Sequence, residues 1–220
     1  MSWTVVSFIS LAIFAVVFAA AFAGSGVLVK VLRQRQVLDH PNERSSHVAP
    51  TPRGGGIAVV GVLLTVWAGI AFFAPGIFPH PLSVPFPAMV LVLFCALGLA
   101  IISWIDDLKG LTPLTRLVLQ FAAAIICLDA LPVGPSGAVL VFQGLLPAAA
   151  DHVAAALIWI WFLNLFNFMD GIDGITGVEA ASVGGGVFVV ALFAGGAQDW
   201  ALFGLSAAAA ACGFLCWNWD

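Results

Sequence analysis

Charge is what this sequence has least of. Asp, Glu, Lys and Arg make up 8% of its 220 residues against 62% hydrophobic, and the mean hydropathy is +1.13. A soluble domain of this length cannot hide that much apolar surface, so lipid has to be part of its solvent. Tyrosine is absent, and eight Trp and eighteen Phe supply the aromatic content. The basic n-region and short apolar core of a cleavable signal peptide are missing too. Met1–Val29 instead carries no charge and would make a helix of about 40 Å, long enough to be a retained span. The four cysteines (Cys95, Cys127, Cys212, Cys216) lack His or carboxylate neighbours and read as small buried hydrophobes, although Cys212 and Cys216 share a helix face. No GK[ST] follows Gly54-Gly55-Gly56, which rules out a Walker A phosphate loop.

What is present is a set of uncharged runs separated by short polar segments. Gly54–Trp104 again holds no Asp, Glu, Lys or Arg, and the proline-rich run Pro75–Pro87 divides it into spans at roughly Ile57–Phe73 and Ala88–Ile105. Further spans are expected at Leu114–Leu131, His152–Phe168, Val178–Ala194 and Trp200–Trp217. The expected fold is therefore an all-α integral membrane protein of about seven transmembrane helices, a single polytopic domain over residues 1–220. The segment LPVGPSGAVLVFQGLLP suggests a short extracytoplasmic strand or hairpin near 137–143. Parity orients the chain: with the amino terminus outside, loops 30–56, 106–113 and 169–177 and the carboxyl terminus all fall inside. All seven Lys and Arg residues then lie on or near the cytoplasmic face, while Asp129, Asp151 and Asp199 lie outside, as the positive-inside rule requires.

That topology gathers three polar clusters on one face. The loop DHPNERSSHVAPTPRGGG (Asp39–Gly56) could be no more than a solvated basic loop. Its three consecutive glycines, however, permit close backbone approach to a ligand or a helix. In WIDDLKGLTPLTR (Trp104–Arg116), Asp106 and Asp107 are adjacent carboxylates at the end of a span. A bridge from Asp106 to Lys109 is the plain reading, but it needs only one aspartate, and ionisable groups at membrane depth are by default functional candidates. Arg116 and Gln120, one turn apart, extend a phosphate-binding surface. In NLFNFMDGIDG (Asn164–Gly174), Asn164, Asn167, Asp170 and Asp173 recur every three residues, a spacing that would put all four on one stripe of a helix. An EF-hand is excluded, because its ligands fall at alternate positions. Amide and carboxylate oxygens suit a hard cation such as Mg²⁺, and with Arg and Lys nearby the set fits phosphoryl transfer. A transporter coupling ions through membrane carboxylates is the competing class, but it would need acids mid-span. An inactive membrane scaffold is the third reading.

DHPNERSSHVAPTPRGGG, the DD of WIDDLKG and NLFNFMDGIDG, in this order, resemble the polyprenyl-phosphate N-acetylhexosamine-1-phosphate transferases of glycosyl transferase family 4. TPRGG, where the muramoyl-pentapeptide branch usually has TPTMGG, is more similar to the O-antigen- and common-antigen-initiating branch. The resemblance implies transfer of a sugar-1-phosphate from a UDP-N-acetylhexosamine to undecaprenyl phosphate with release of UMP. This would be the first membrane step of a surface polysaccharide such as the O-antigen of lipopolysaccharide, or of a cell-wall polymer. It implies Mg²⁺, with Mn²⁺ as an alternative, and Asp106 and Asp107 as the catalytic pair. Asn167 would be the metal ligand, with Asn164, Asp170, Asp173 and Arg116 as nucleotide- and phosphate-binding residues. Further expectations are a bacterial inner membrane with the active face cytoplasmic, the bilayer as partner, a homodimer as candidate assembly, and no nucleic acid. The family's later MGDxGS motif does not occur before the chain stops at GFLCWNWD, so a truncated or short homologue without independent activity is expected.

Overall fold

The computed structural model describes residues 3–39, 50–77, 84–131, 141–142, 144–169, 172–193 and 198–218. Seven helices are found there: α1 (Trp3–Gln34), α2 (Gly56–Ile77), α3 (Phe86–Lys109), α4 (Pro113–Ala130), α5 (Ala148–Met169), α6 (Ile175–Phe193) and α7 (Gln198–Leu215). Six of them, α1 to α6, are long and apolar enough to cross a membrane. Seven spans were expected, and six are found among the described residues. The described apolar stretch of α7, Trp200–Leu215, is shorter than the six.

Local chemistry explains where the helices stop. Helix α1 runs past its apolar part, so Lys30 and Arg33 belong to the helix rather than to the expected loop. It ends where Gln36 takes a positive φ of 57° and the Val37 amide donates to the Leu32 carbonyl at 3.0 Å. Two short strands then pair antiparallel, β1 (Leu38–Asp39) with β2 (Thr51–Pro52), in a register that sets Leu38 opposite Pro52. Nothing in the sequence pattern announced them. The strand or hairpin expected near 137–143 lies largely outside the described residues, and Val141 and Phe142 are in a turn. Pro75 falls within the last turn of α2, and α3 begins behind Pro85, the ring of which suits a helix start.

The chain forms two compact units, Met1–Trp67 with Met169–Asp220, and Ala68–Phe168. In the first, α7 packs against both α1 and α6. Its alanines make this possible: Ala209 and Ala210 are fully buried together with Val17 and Ala21 of α1. In lipid, helices associate through close packing of small residues rather than through hydrophobic expulsion. Gly204 and Gly184 meet backbone to backbone, such that a Cβ on Gly204 would lie 2.6 Å from the Gly184 carbonyl oxygen. Polar contacts supplement the packing. The Trp67 indole donates to Ser206 Oγ at 2.9 Å, and the Ser206 hydroxyl donates on to the Phe203 carbonyl at 2.9 Å. Trp217 donates to the Phe22 carbonyl at 2.9 Å while its ring covers Gly26.

In the second unit α3 packs on α4, and Leu128 of α4 meets Ala155 and Ala156 of α5 in a buried cluster. Asp151 and Asp129, expected in loops, lie in the first turn of α5 and near the end of α4. Asp151 is wholly buried and accepts the backbone N–H groups of Val141 and Phe142, each at 2.9 Å, so it ties that turn to the start of α5.

Candidate active site

The acid pair closes α3. Gly110 follows with φ 69°, its amide donating to the Asp106 carbonyl at 2.8 Å, and three residues later Pro113 opens α4 behind the Thr112 cap. Asp106 holds this tight turn with its side chain. One oxygen accepts the Leu111 amide at 2.6 Å, and the other accepts Arg116 Nη1 of α4 at 2.9 Å. Asp106 thus forms an ion pair with Arg116, from the next helix. A carboxylate in the last turn of a helix opposes the helix dipole, and Arg116 offsets that repulsion locally. The Arg116 Nε is buried and has no hydrogen-bond partner among the described residues. Asp107, half-buried beside Asp106, also engages a partner.

One turn along α4 stands Gln120. Its side-chain carbonyl accepts Asn164 Nδ2 of α5 at 2.7 Å, and the same Nδ2 donates to the Ile160 carbonyl at 2.9 Å. A polar line thus runs from Asp106 through Arg116 and Gln120 to Asn164, joining two sequence motifs 58 positions apart in the chain. Asn167, the next residue of the motif, is exposed on α5.

The structure brings together Asp106, Arg116 and Asn164, and Asp107 adjoins them in sequence. It does not keep the last motif on one helix, because α5 ends at Met169. Asp170 lies outside the described residues. Asp173 sits half-buried in the turn before α6, where Gly174 takes a φ of 80° and the Ile175 amide donates to the Ile172 carbonyl at 3.1 Å. The continuous stripe is thereby corrected to two amides on α5 and one carboxylate in a turn. The glycine triplet is also clarified. Gly54 needs its positive φ of 101°, and the Phe214 ring lies so near Gly55 that a Cβ there would be 2.8 Å away. At Gly55 the close neighbour is a side chain of α7, not a ligand.

The donors along this line are oxygens, the class a hard cation prefers. Among the described residues no group of three or more His, Cys, Asp or Glu gathers, so a cation here would rest on one or two carboxylates completed by amide and substrate oxygens. Mg²⁺ is commonly held in that way, and the residues present fit it.

Helices that can span a bilayer, with an acid pair, an arginine and paired amides converging where three of them end, define a polytopic membrane protein with a polar site at helix termini. The profile of glycosyl transferase family 4 matches residues 89–220, and the chain belongs to that family. Among its relatives, the decaprenyl-phosphate N-acetylglucosaminephosphotransferase of Mycobacterium leprae is 30% identical over 161 residues, which is 67% of this chain and 37% of that protein. The protein of the same description from Mycolicibacterium smegmatis is 31% identical over 166 residues, 70% of this chain and 38% of the relative. The phospho-N-acetylmuramoyl-pentapeptide-transferase of Shouchella clausii is 25% identical over 224 residues, 91% of this chain and 64% of the relative. The chain spans less than two fifths of the length of the two mycobacterial relatives it matches.

Proposed function

We propose that this chain carries part or all of a polyprenyl-phosphate sugar-1-phosphate transferase, with a UDP-N-acetylhexosamine as donor and undecaprenyl or decaprenyl phosphate as acceptor. The observation that carries the reading is the polar line Asp106–Arg116–Gln120–Asn164, which links the acid pair to the amide motif at the ends of α3, α4 and α5. In the reaction, an oxygen of the lipid phosphate attacks the phosphorus that bears the sugar. The bridging P–O bond of the diphosphate breaks, and its electron pair leaves with UMP.

Arg116 supplies charge for phosphate oxygens, and its buried Nε adds a donor without a partner among the described residues. Asp106 and Asp107 act as the catalytic pair on the lipid phosphate, accepting its proton where it carries one. Asp106 also orients Arg116. Asn167, with Asp106 or Asp107, would hold Mg²⁺, which neutralises diphosphate oxygens when bound. Asp173 and Asp170 are assigned to the nucleotide through the family resemblance. The one-sided distribution of the basic residues supports a cytoplasmic setting for this face, in a bacterial plasma membrane. The N-acetylglucosamine named for the mycobacterial relatives favours that sugar. The polymer to which the lipid-linked sugar is committed, O-antigen or another, is left open.

Membranes expressing the protein as its gene encodes it should convert radiolabelled UDP-N-acetylglucosamine to an organic-extractable lipid-linked sugar. The conversion should require added polyprenyl phosphate and Mg²⁺ and release one UMP per product. Labelled product independent of polyprenyl phosphate, or no product from any UDP-N-acetylhexosamine, would sink this reading.

A further inference from the structure

Gln120 is a polar residue within a membrane-length helix, and neither the acid pair nor the amide motif of the resemblance includes it. A side-chain amide has two N–H donors and one carbonyl acceptor with two lone pairs. Both donors of Asn164 are spent, one on its own helix at Ile160 and one on Gln120. Among the described residues its carbonyl has no partner, so Asn164 can offer a ligand only an oxygen. It suits a cation or a ligand N–H or O–H, and it cannot donate to a phosphate oxygen. Gln120 has the complementary need. Its carbonyl is committed to Asn164, and among the described residues its two N–H groups have no acceptor. One turn away on the same helix face stands Arg116, the charge that draws anions to this place.

We propose that Gln120 is a positioning and phosphate-binding residue: its carbonyl locks the Asn164 amide with the oxygen presented outward, and its N–H groups take a phosphate oxygen beside Arg116. The inference rests on the transfer reading above and deepens it. It gives a geometry to the phosphate-binding surface that the sequence suggested at Arg116 and Gln120, and it leaves Asn164 to present an oxygen. The phosphate belongs either to the lipid acceptor or to the diphosphate of the donor, since both offer the same acceptor oxygens.

Two variants separate these roles. Gln120→Glu keeps an oxygen for Asn164 but replaces the donors with a negative charge. Gln120→Leu removes both functions. The protein in detergent is assayed for transfer with each substrate varied in turn, alongside its melting temperature. Gln120→Glu should melt like wild type and raise KM for one of the two phosphate substrates by roughly ten- to a hundredfold, the usual worth of a hydrogen bond to a charged group. The substrate affected identifies the source of the phosphate. Gln120→Leu should raise the same KM and also lower kcat, because Asn164 is released. If wild type transfers and both variants keep both KM values, or lose activity only in step with melting temperature, this proposal is overturned and the transfer reading stands. If wild type makes no lipid-linked sugar with either substrate in excess, both fall.

Discussion

Replacing Gly204 by alanine tests the packing at the centre of the first unit. An added Cβ would lie 2.6 Å from the Gly184 carbonyl oxygen, 2.7 Å from the Phe188 amide nitrogen and 3.0 Å from the Val187 Cβ. Close C···O contacts settle at about 3.3–3.6 Å, so α6 and α7 must separate by somewhat under 1 Å. Two of the three obstacles are backbone, which no rotamer change can move aside. A gap of 0.5–1 Å forfeits roughly a quarter to a half of the dispersion energy of each contact it opens. In lipid no hydrophobic expulsion compensates for that loss. Overpacking of this kind costs about 1–3 kcal/mol, and Gly204→Val should exceed Gly204→Ala. Gly186 on α6 is the internal control, because nothing lies within 4 Å of its added Cβ. Gly186→Ala should be neutral or stabilise by up to about 1 kcal/mol through helix propensity. Equilibrium unfolding in mixed micelles of a mild detergent and dodecyl sulfate, followed by helical circular dichroism, measures both. Equal stability of Gly204→Ala and wild type, or equal losses for the two alanine variants, would refute the close approach of α6 and α7.

Asp106→Asn and Asp107→Asn should each lower sugar-phosphate transfer by at least about a hundredfold, read as lipid-linked product per minute. Wild-type turnover in both would make the pair structural. Asp151→Ala leaves two amides without their carboxylate and should cost about 2–4 kcal/mol in the same unfolding assay; a loss below about 0.5 kcal/mol would show that Val141 and Phe142 find other acceptors. Single cysteines at Gln36 and Leu145 in a cysteine-free background should label from the cytoplasmic and the outer side respectively. Reversed labelling would overturn the orientation and with it the cytosolic donor.

The spans were legible because a bilayer imposes a coarse rule, and runs without charge reveal helices to within a few residues. Their ends were less legible. Lys30 and Arg33 are charged and yet helical, since a helix can continue past the apolar region with its basic side chains reaching polar surroundings. The acid pair and the spaced amides were visible as residue types, whereas their partners were not. Arg116 reaches Asp106 across a turn, and Asn164 reaches Gln120 across two helices, contacts that only folding creates. A three-residue spacing suggested one helical stripe for the last motif, but Gly171 and Gly174 favour a break, and Asp173 follows it off the helix. The alanines of α7 looked like an ordinary span, although their small size serves contact with α1 and α6.

The pairing of α1 with α7 sets a timetable for synthesis. Val17 and Ala21 enter the membrane early, yet Ala209 and Ala210, which cover them, are made roughly 190 residues later, an interval of about ten to forty seconds at 5–20 residues per second. Until then the stripe of α1 that α7 covers has only the earlier-made α2, with Val59, Val62, Leu63 and Val66, to pack against it, and the rest of it faces lipid or a temporary companion. Whatever machinery inserts this protein therefore has to shelter that stripe until α7 is made, and the packing of the first unit closes only then.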